Sequence, residues 1–264
     1  MKDRLKDKVI IVTGSGRGIG RAVAVRAAAE GAKVVVNSVS PQKTCEAVEK
    51  EIKDAGGQAV SILADVSKEE DVKKIVAKAV SEYGHLDIMI ANAGIAWAKP
   101  VVDTTLKDWE HIFSINVRGI FLSDKYAVLQ FLKQKTGGKI INAASIAAHD
   151  GFAGLSAYSA TKFAVRGFTQ ALAKEVAKYN ITVNAYCPGI VDTNMWDDID
   201  IGMAPILGLE EGKRASFEMF AGTVPLGRAE KPEDTAALIT FLASSDADYI
   251  TGEAMIIAGG VSMV

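Results

Sequence analysis

Tyr158 and Lys162 stand four residues apart in the stretch "AYSATKFAVRGFTQ", residues 157–170. Four residues is about one turn of an α-helix, so the two side chains share a face. Both groups ordinarily titrate near pH ~10. A phenol beside an ammonium ion is either ordinary packing with two polar tips or a device that moves a proton at neutral pH. Phe163, Val165 and Phe168 read as the packing face that fixes where the phenol points.

A second stretch with chemical content is "TGSGRGIG", residues 13–20. It follows a short apolar run and opens an alanine-rich helix. Gly14 suits a tight turn, Gly18 a close approach of backbone to a pyrophosphate, and Gly20 close packing of helix on sheet. The anion then sits at the positive helix N-terminus. Ser15, Gly16, Arg17 and Ile19 complete the loop. The spacing is T-G-x-x-x-G-x-G rather than G-x-G-x-x-G, because Ile19 stands where a third glycine counted from Gly16 would fall. An acid at the end of the next strand would bind the adenosine ribose of NAD. Here the chain reads Asn37, Ser38, Val39, Ser40. Arg17 and Lys43 could meet a 2′-phosphate, and Asn37 and Ser38 could hydrogen-bond it. NADP(H) is therefore favoured, with NAD(H) the alternative.

The elements that must position these groups alternate along the chain. Short apolar runs at 8–14, 33–38, 59–66, 86–94, 138–145, 181–189 and 253–260 read as seven strands. Helical patterns lie between them at 21–30, 45–55, 67–83, 106–115, 116–134, 156–179 and 233–243. Ser67 with Glu70 reads as a capping box for the third helix. Near-continuous apolar strands mean a sheet covered on both faces, hence mostly parallel. The expected fold is α/β, a single doubly wound Rossmann-type domain over residues 1–264, with helices on both faces of a seven-stranded sheet. The less regular segment 190–227 is the candidate substrate lid.

Composition excludes several classes. With a net charge of −2, the 264 residues carry no global pull toward nucleic acid or an anionic membrane. No stretch approaches the ~20 apolar residues of a membrane span, and the charged start has no secretory apolar core. Cys45 and Cys187 are too few for a disulfide framework and lack metal-ligand spacing. The expectation is a cytoplasmic protein with two reduced structural thiols and no metal site.

Taken together, "TGSGRGIG", "NAG" at 92–94, "INVRG" at 115–119, Ser145, "YSATK" at 158–162 and "PG" at 188–189 resemble the short-chain dehydrogenase/reductase family in order and spacing, over essentially the whole chain. The resemblance implies hydride transfer between a nicotinamide cofactor and an alcohol or ketone. It makes Tyr158 the acid/base, with the Lys162 ammonium lowering the phenol's pKa and binding the nicotinamide ribose. Ser145 then steadies the substrate oxygen, and Asn116 anchors a water that links Lys162 to solvent. It also places Asp65 and Val66 near adenine, and Asn92, Ala93 and Gly94 beside the adenosine ribose. Pro188, Gly189, Ile190 and Val191 then pass the nicotinamide, with Thr193 at its carboxamide. A homotetramer is implied, with contacts through the helices that begin near Asn116 and Ser156.

The candidate substrate chamber takes Ala96 and Trp97 after the fourth strand, Ile146, Ala147 and His149 after Ser145, and Met195 and Trp196 in the lid. The other reading of Trp97 and Trp196 is packing or a subunit contact, and that of His149 a surface loop. The stretches "GGKIINAAS", "ITVNAYCPGIV" and "NMWDDID" look like the acetoin/diacetyl reductase (2,3-butanediol dehydrogenase) group, which acts on small diketones, hydroxyketones and diols. Two further readings stand beside it. A 3-oxoacyl-[acyl-carrier-protein] reductase fits the glycine turn, yet Lys213 and Arg214 are the only basic residues in the lid suited to a phosphopantetheine-bearing partner. A non-catalytic nucleotide sensor conflicts with the intact Asn116, Ser145, Tyr158 and Lys162.

Overall fold

The computed structural model describes residues 3–39, 42–210 and 212–263; Ser40 and the side chain of Lys43 lie outside what it describes. The described elements alternate in the expected order. They are β1 (Val9–Val12), α1 (Gly18–Ala29), β2 (Lys33–Ser38), α2 (Gln42–Asp54), β3 (Gln58–Leu63), α3 (Glu69–Tyr83) and β4 (Ile88–Ala91). There follow α4 (Leu106–Phe113), α5 (Gly119–Gln134), β5 (Gly138–Ala143), α6 (Ser156–Val176), β6 (Ile181–Pro188), α7 (Met195–Ile206), α8 (Ala215–Ala221), α9 (Pro232–Ala243) and β7 (Ala254–Ile257).

All seven strands pair in parallel in the order β3-β2-β1-β4-β5-β6-β7. Strand β1 shows why both faces are apolar. Ile10 and Val12 pack into the core under α1, α2 and α9, while Val9 and Ile11 pack into the core under α3, α5 and α6. Alternate residues of a strand point to opposite faces, so a strand buried on both sides must be apolar throughout. The strand order reverses between β1 and β4, and ligands of open α/β sheets bind at such a crevice.

Three local features differ from the sequence reading. Ser67 does not cap α3; its hydroxyl donates to Asp65 Oδ1 at 2.7 Å, and the helix begins at Glu69. Short polar side chains often turn onto nearby backbone or neighbours in this way instead of capping. The helices expected at 106–115 and 116–134 are one continuous rod, joined by a π turn at Ser114–Arg118. The segment 190–227 is not irregular, since it holds α7 and α8.

Those two helices pack against the segments that follow β4, β5 and β6. Trp196 packs its ring 5.5 Å from Phe217 and 5.8 Å from Phe220, at tilted angles. These rings share a cluster with Ala96, Ala98, Ile146, Ile190 and Met203. Gly202 makes the fit possible, because a Cβ there would lie 1.8 Å from the Ala98 carbonyl oxygen.

Candidate active site

The glycine turn leaves β1 with Gly14 at φ +63° and reaches α1 with Gly18 at φ +56°. Both angles belong to the left-handed region that glycine enters without a Cβ penalty. A Cβ on Gly20 would lie 2.5 Å from the Gly14 carbonyl, which explains the need for close packing there. Arg17 occupies the N-cap of α1 without a side-chain cap, and the first turn carries no acid. The leading N–H groups of that helix therefore face outward with no side chain competing for them, which is the cradle an anion needs.

The side chain of Asn37 is buried and turned inward. Its Oδ1 accepts from Gly14 N at 3.2 Å, and its Nδ2 donates to the carbonyls of Ala64 at 3.0 Å and Ile62 at 3.3 Å. It pins the turn to β2 and β3. Ser15 Oγ donates to the Val12 carbonyl at 2.7 Å and accepts from Asn37 N at 3.0 Å. Around the end of β2 Arg17 is exposed, Gly16 half-buried and Ser38 buried; a Cβ on Gly16 would meet Thr44 Oγ1 at 2.7 Å. Asp65, after β3, accepts from both the amide and the hydroxyl of Ser67, and Val66 beside it is buried.

Asn92 ties the end of β4 to the turn, donating from Nδ2 to the carbonyl of Thr13 at 2.8 Å and of Gly14 at 3.2 Å. Thr13 Oγ1 accepts in return from Asn92 N and Ala93 N. Tyr186 completes the brace by donating its hydroxyl to Asn92 Oδ1 at 2.8 Å. Neither Thr13 nor Tyr186 was among the candidate residues. Thr13 had a signal in its place at the head of the glycine turn, whereas Tyr186 reads in sequence as one more apolar strand position.

The reacting groups lie across this crevice. Asn116 sits in the π turn, fully buried, and grips Ile95 twice, accepting from its N–H and donating to its carbonyl, both at 2.9 Å. Its Nδ2 also reaches Thr161 Oγ1 at 3.2 Å. A Cβ on Gly94 would stand 3.3 Å from Asn116 Oδ1 and 3.7 Å from Lys162 Nζ, so the end of β4, the π turn and α6 meet at this point. Lys162 Nζ donates to the Ala143 carbonyl at 2.7 Å and lies 5.4 Å from the centre of the Tyr158 ring. Ser145 follows β5, accepts from Ala147 N at 3.1 Å, and acts to lower the pKa of the Tyr158 phenol.

Charge in this pocket departs from the sequence reading. Burial pushes the Tyr158 phenol up to about 12, against the downward pull of Ser145. Burial also drives the Lys162 ammonium down to about 8, with Cys187 acting weakly the other way. Burial, rather than the Lys162 ammonium, is the dominant influence on the phenol here. That ammonium is given to a backbone carbonyl, and desolvation disfavours both charged forms.

Ile190 joins the lid cluster, and Val191 forms an isolated parallel bridge with Glu230. Pro188 ends β6 and Gly189 is pressed against Ala258, where a Cβ would fall 2.8 Å from the Ala258 methyl. Thr193 lies across the cleft from the glycine turn, 3.5 Å from where a Gly18 Cβ would be. Among the substrate candidates, Trp196, Met195, Ile146 and Ala96 meet in the lid cluster, together with Tyr158 itself. Ala147 is buried beside Ser145. Trp97, between the clustered Ala96 and Ala98, is half-buried and outside that group. His149 is held below its usual pKa by burial and then by Arg166, and lies beside the backbone of Ala254. No cluster of metal-ligating side chains occurs among the described residues.

Residues 8–203 match the sequence profile described as short chain dehydrogenase. A diacetyl reductase [(S)-acetoin forming] of Staphylococcus epidermidis is 45% identical over 255 residues, covering 96% of this chain and 98% of that protein. An L-2,3-butanediol dehydrogenase of Corynebacterium glutamicum is 43% identical over 256 residues, covering 96% and 98%. Among solved structures, levodione reductase superposes with a TM-score of 0.90 at 32% identity, covering 97% of each chain.

Proposed function

This chain belongs to the short-chain dehydrogenase/reductase family, and we propose that it moves a hydride between NADP(H) and a small vicinal hydroxyketone, diketone or diol of the acetoin type. One observation carries the reading: Ser145, Tyr158, Lys162 and Asn116 converge beneath an aromatic lid, beside the uncapped N-terminus of α1. The fit to a dinucleotide rests on that open helix end and on the left-handed glycines before it. When bound, the nicotinamide supplies or accepts the hydride.

The chain's own groups do the rest. Residues 14–20 hold the pyrophosphate, Asp65, Val66 and residues 92–94 line the adenosine half, and Pro188, Gly189, Ile190, Val191 and Thr193 flank the nicotinamide. Tyr158 is the acid/base. A phenol titrating at about 12 is protonated at neutral pH and ready to give its proton to a developing alkoxide, which suits ketone reduction. Ser145 steadies the same oxygen. Lys162, titrating at about 8, exchanges a proton readily near neutrality and would pass it on through the Asn116 corner. Trp196, Phe217 and Phe220 make a small apolar roof over Tyr158 that suits a short, uncharged substrate. That roof and the scarcity of basic lid residues disfavour the acyl-carrier reading: Lys213 pairs with Glu210, and Arg214 with Asp192 and Asp197.

The preference for NADP(H) is supported by exposed Arg17 and by Ser38 at the end of β2, a position without a carboxylate. A homotetramer is supported by the exposed Phe121 and Leu129 on α5 and Phe163 on α6. The same reading sets the enzyme in the cytoplasm, in keeping with two buried cysteines.

The test is turnover of acetoin, diacetyl, sugar alcohols and an acetoacetyl thioester, each with NADPH and NADH. A clear preference for NADH overturns the reading of Arg17 and Ser38, and a preference for the thioester overturns the substrate class. Tyr158→Phe should retain cofactor binding and lose turnover by about 10²-fold or more. Parent-like turnover of that variant refutes the role given to the phenol.

A further inference from the structure

Glu230 is a buried carboxylate for which the reaction described above has no use. It stands just before α9 and is 8% exposed. Its backbone runs alongside the first residues of the lid. Glu230 N donates to the Ile190 carbonyl and Asp192 N donates to the Glu230 carbonyl, both at 2.8 Å, with Val191 bridged between them. Its side chain reaches the preceding residue as well, since Glu230 Oε2 accepts from Gly189 N at 3.1 Å. The other oxygen, Oε1, accepts from the hydroxyl of Thr235, a fully buried residue of α9. One residue thus holds the backbone from 189 to 192 and fastens it to a helix that packs on α1, the helix of the glycine turn.

We infer that Glu230 is a positioning residue for the cofactor: its carboxylate clamps the turn that leaves β6 to α9 and so fixes the nicotinamide side of the cleft relative to the pyrophosphate side. The inference rests on the reading that residues 188–193 flank the nicotinamide. Gly189 is also held on the β7 side, packed against Ala258. Its N–H is shared with the Ile257 carbonyl at 3.0 Å, and the next residues already belong to the lid. Both partners of the carboxylate are donors, so the ionised form accepts both bonds, whereas a proton on Oε1 would force the Thr235 hydroxyl to turn.

Burial raises this carboxyl to about 7, against the hydrogen bonds from Thr235 and Gly189. Asp234 adds to the rise, Arg228 opposes it, and those two are themselves ion-paired at 2.6 Å. The Tyr186 phenol of β6 is the remaining titratable neighbour. The clamp is accordingly firm above neutrality and loosens below it.

Glu230→Ala and Glu230→Gln separate the parts of this argument. Cofactor affinity is read by the fluorescence of bound NADPH and NADH, and KM and kcat with acetoin or diacetyl, across pH 6 to 8.5 or about one to two pH steps either side of neutrality. In the parent, the KM for cofactor should rise severalfold, about three- to tenfold, as pH falls through the carboxyl's titration. Glu230→Ala should raise it about tenfold at pH 8 while kcat stays within about threefold. Glu230→Gln keeps an acceptor for Gly189 and turns a donor toward Thr235. As the mimic of the protonated carboxyl, it should already show at pH 8 the raised KM that the parent reaches at low pH, with no further rise as pH falls. The clamp is refuted if Glu230→Ala folds and binds cofactor as the parent does, or if Glu230→Gln retains the parent's pH profile. Should the alanine variant fail to fold, as judged by circular dichroism, the glutamine profile decides alone. A parent chain that binds neither nucleotide refutes the dehydrogenase reading instead, so the two failures are distinct.

Discussion

Replacing Asp124 with asparagine probes the least expected group in the core. Asp124 lies on α5 with its side chain wholly buried against β5 and α6. The Asn142 amide donates to its Oδ2 at 2.8 Å and also approaches Thr169 Oγ1 at 3.1 Å. Asp124 Oδ1 and Asn142 Oδ1 are both buried without a partner. Burial lifts the carboxyl from 3.8 to about 8, with the Asn142 bond opposing the rise. The sign of the effect follows directly. An unfolded chain gives up this proton near pH 3.8, whereas the folded chain keeps it to about 8. Between those values unfolding releases a proton, so folded stability declines as pH rises, by about 1.4 kcal/mol per pH step. At pH 7 the accumulated cost is about 4 kcal/mol, an upper figure for one buried carboxyl. Asp124→Asn removes that cost, keeps the acceptor for Asn142 Nδ2 and brings an N–H₂ toward the unpaired Asn142 oxygen. Urea unfolding at fixed protein concentration should therefore find the variant more stable by several kcal/mol at pH 7, about 2 to 4, with the gain shrinking toward zero near pH 4. A difference that stays constant across that range refutes the buried proton.

Two further substitutions test the scaffold of the site. Gly202→Ala should dislodge α7, since its methyl would meet the Ala98 carbonyl at 1.8 Å; the KM for the carbonyl substrate should rise about tenfold while NADPH fluorescence titration shows cofactor affinity unchanged. Asn116→Ala should destabilise the fold by about 2–4 kcal/mol in urea unfolding, because it leaves both the N–H and the carbonyl of Ile95 without their partner, and turnover should fall with it.

Where backbone pattern decides the outcome, the sequence was a sufficient guide. Strand β2 runs over Lys33–Ser38 as its apolar run predicts, and the order of strands and helices follows from periodicity alone. Two-faced burial leaves an unmistakable signal, because a parallel strand must be apolar at every position. The glycine turn was equally plain, since Gly14 and Gly18 are needed for their φ angles rather than for any partner. What was missed depends on partners distant in the chain. The π turn at Ser114–Arg118 has no local signature; it exists because Asn116 is drawn to Ile95, 21 residues earlier. The lid helices were hidden for a similar reason. Their apolar residues follow one irregular cleft surface, so Trp196 finds Phe217 and Phe220 only once the chain has folded back on itself. His149 follows the 3₁₀ turn at Ile146–Ala148 and lies near Arg166 and the Ala254 backbone, neighbours that its nearness to Ser145 in sequence does not reveal.

The pairing of Tyr158 with Lys162 shows where a spacing argument stops. One helical turn did bring phenol and ammonium to the same face, 5.4 Å from ring centre to Nζ. Charge attraction in water between groups at that separation is modest, about 1 kcal/mol, and its strength in protein depends on how deeply both are buried. Here both are buried, and burial opposes each charge before either can help the other. The phenol rises to about 12, the ammonium falls to about 8, and Lys162 donates to the Ala143 carbonyl at 2.7 Å. Sequence spacing identifies the partners and their face but not their depth of burial, which dominates both groups. The consequence is chemical. A phenol held above its usual range stays protonated at neutral pH and a lysine near 8 exchanges readily, the charge state from which the proposed proton transfer by Tyr158 starts.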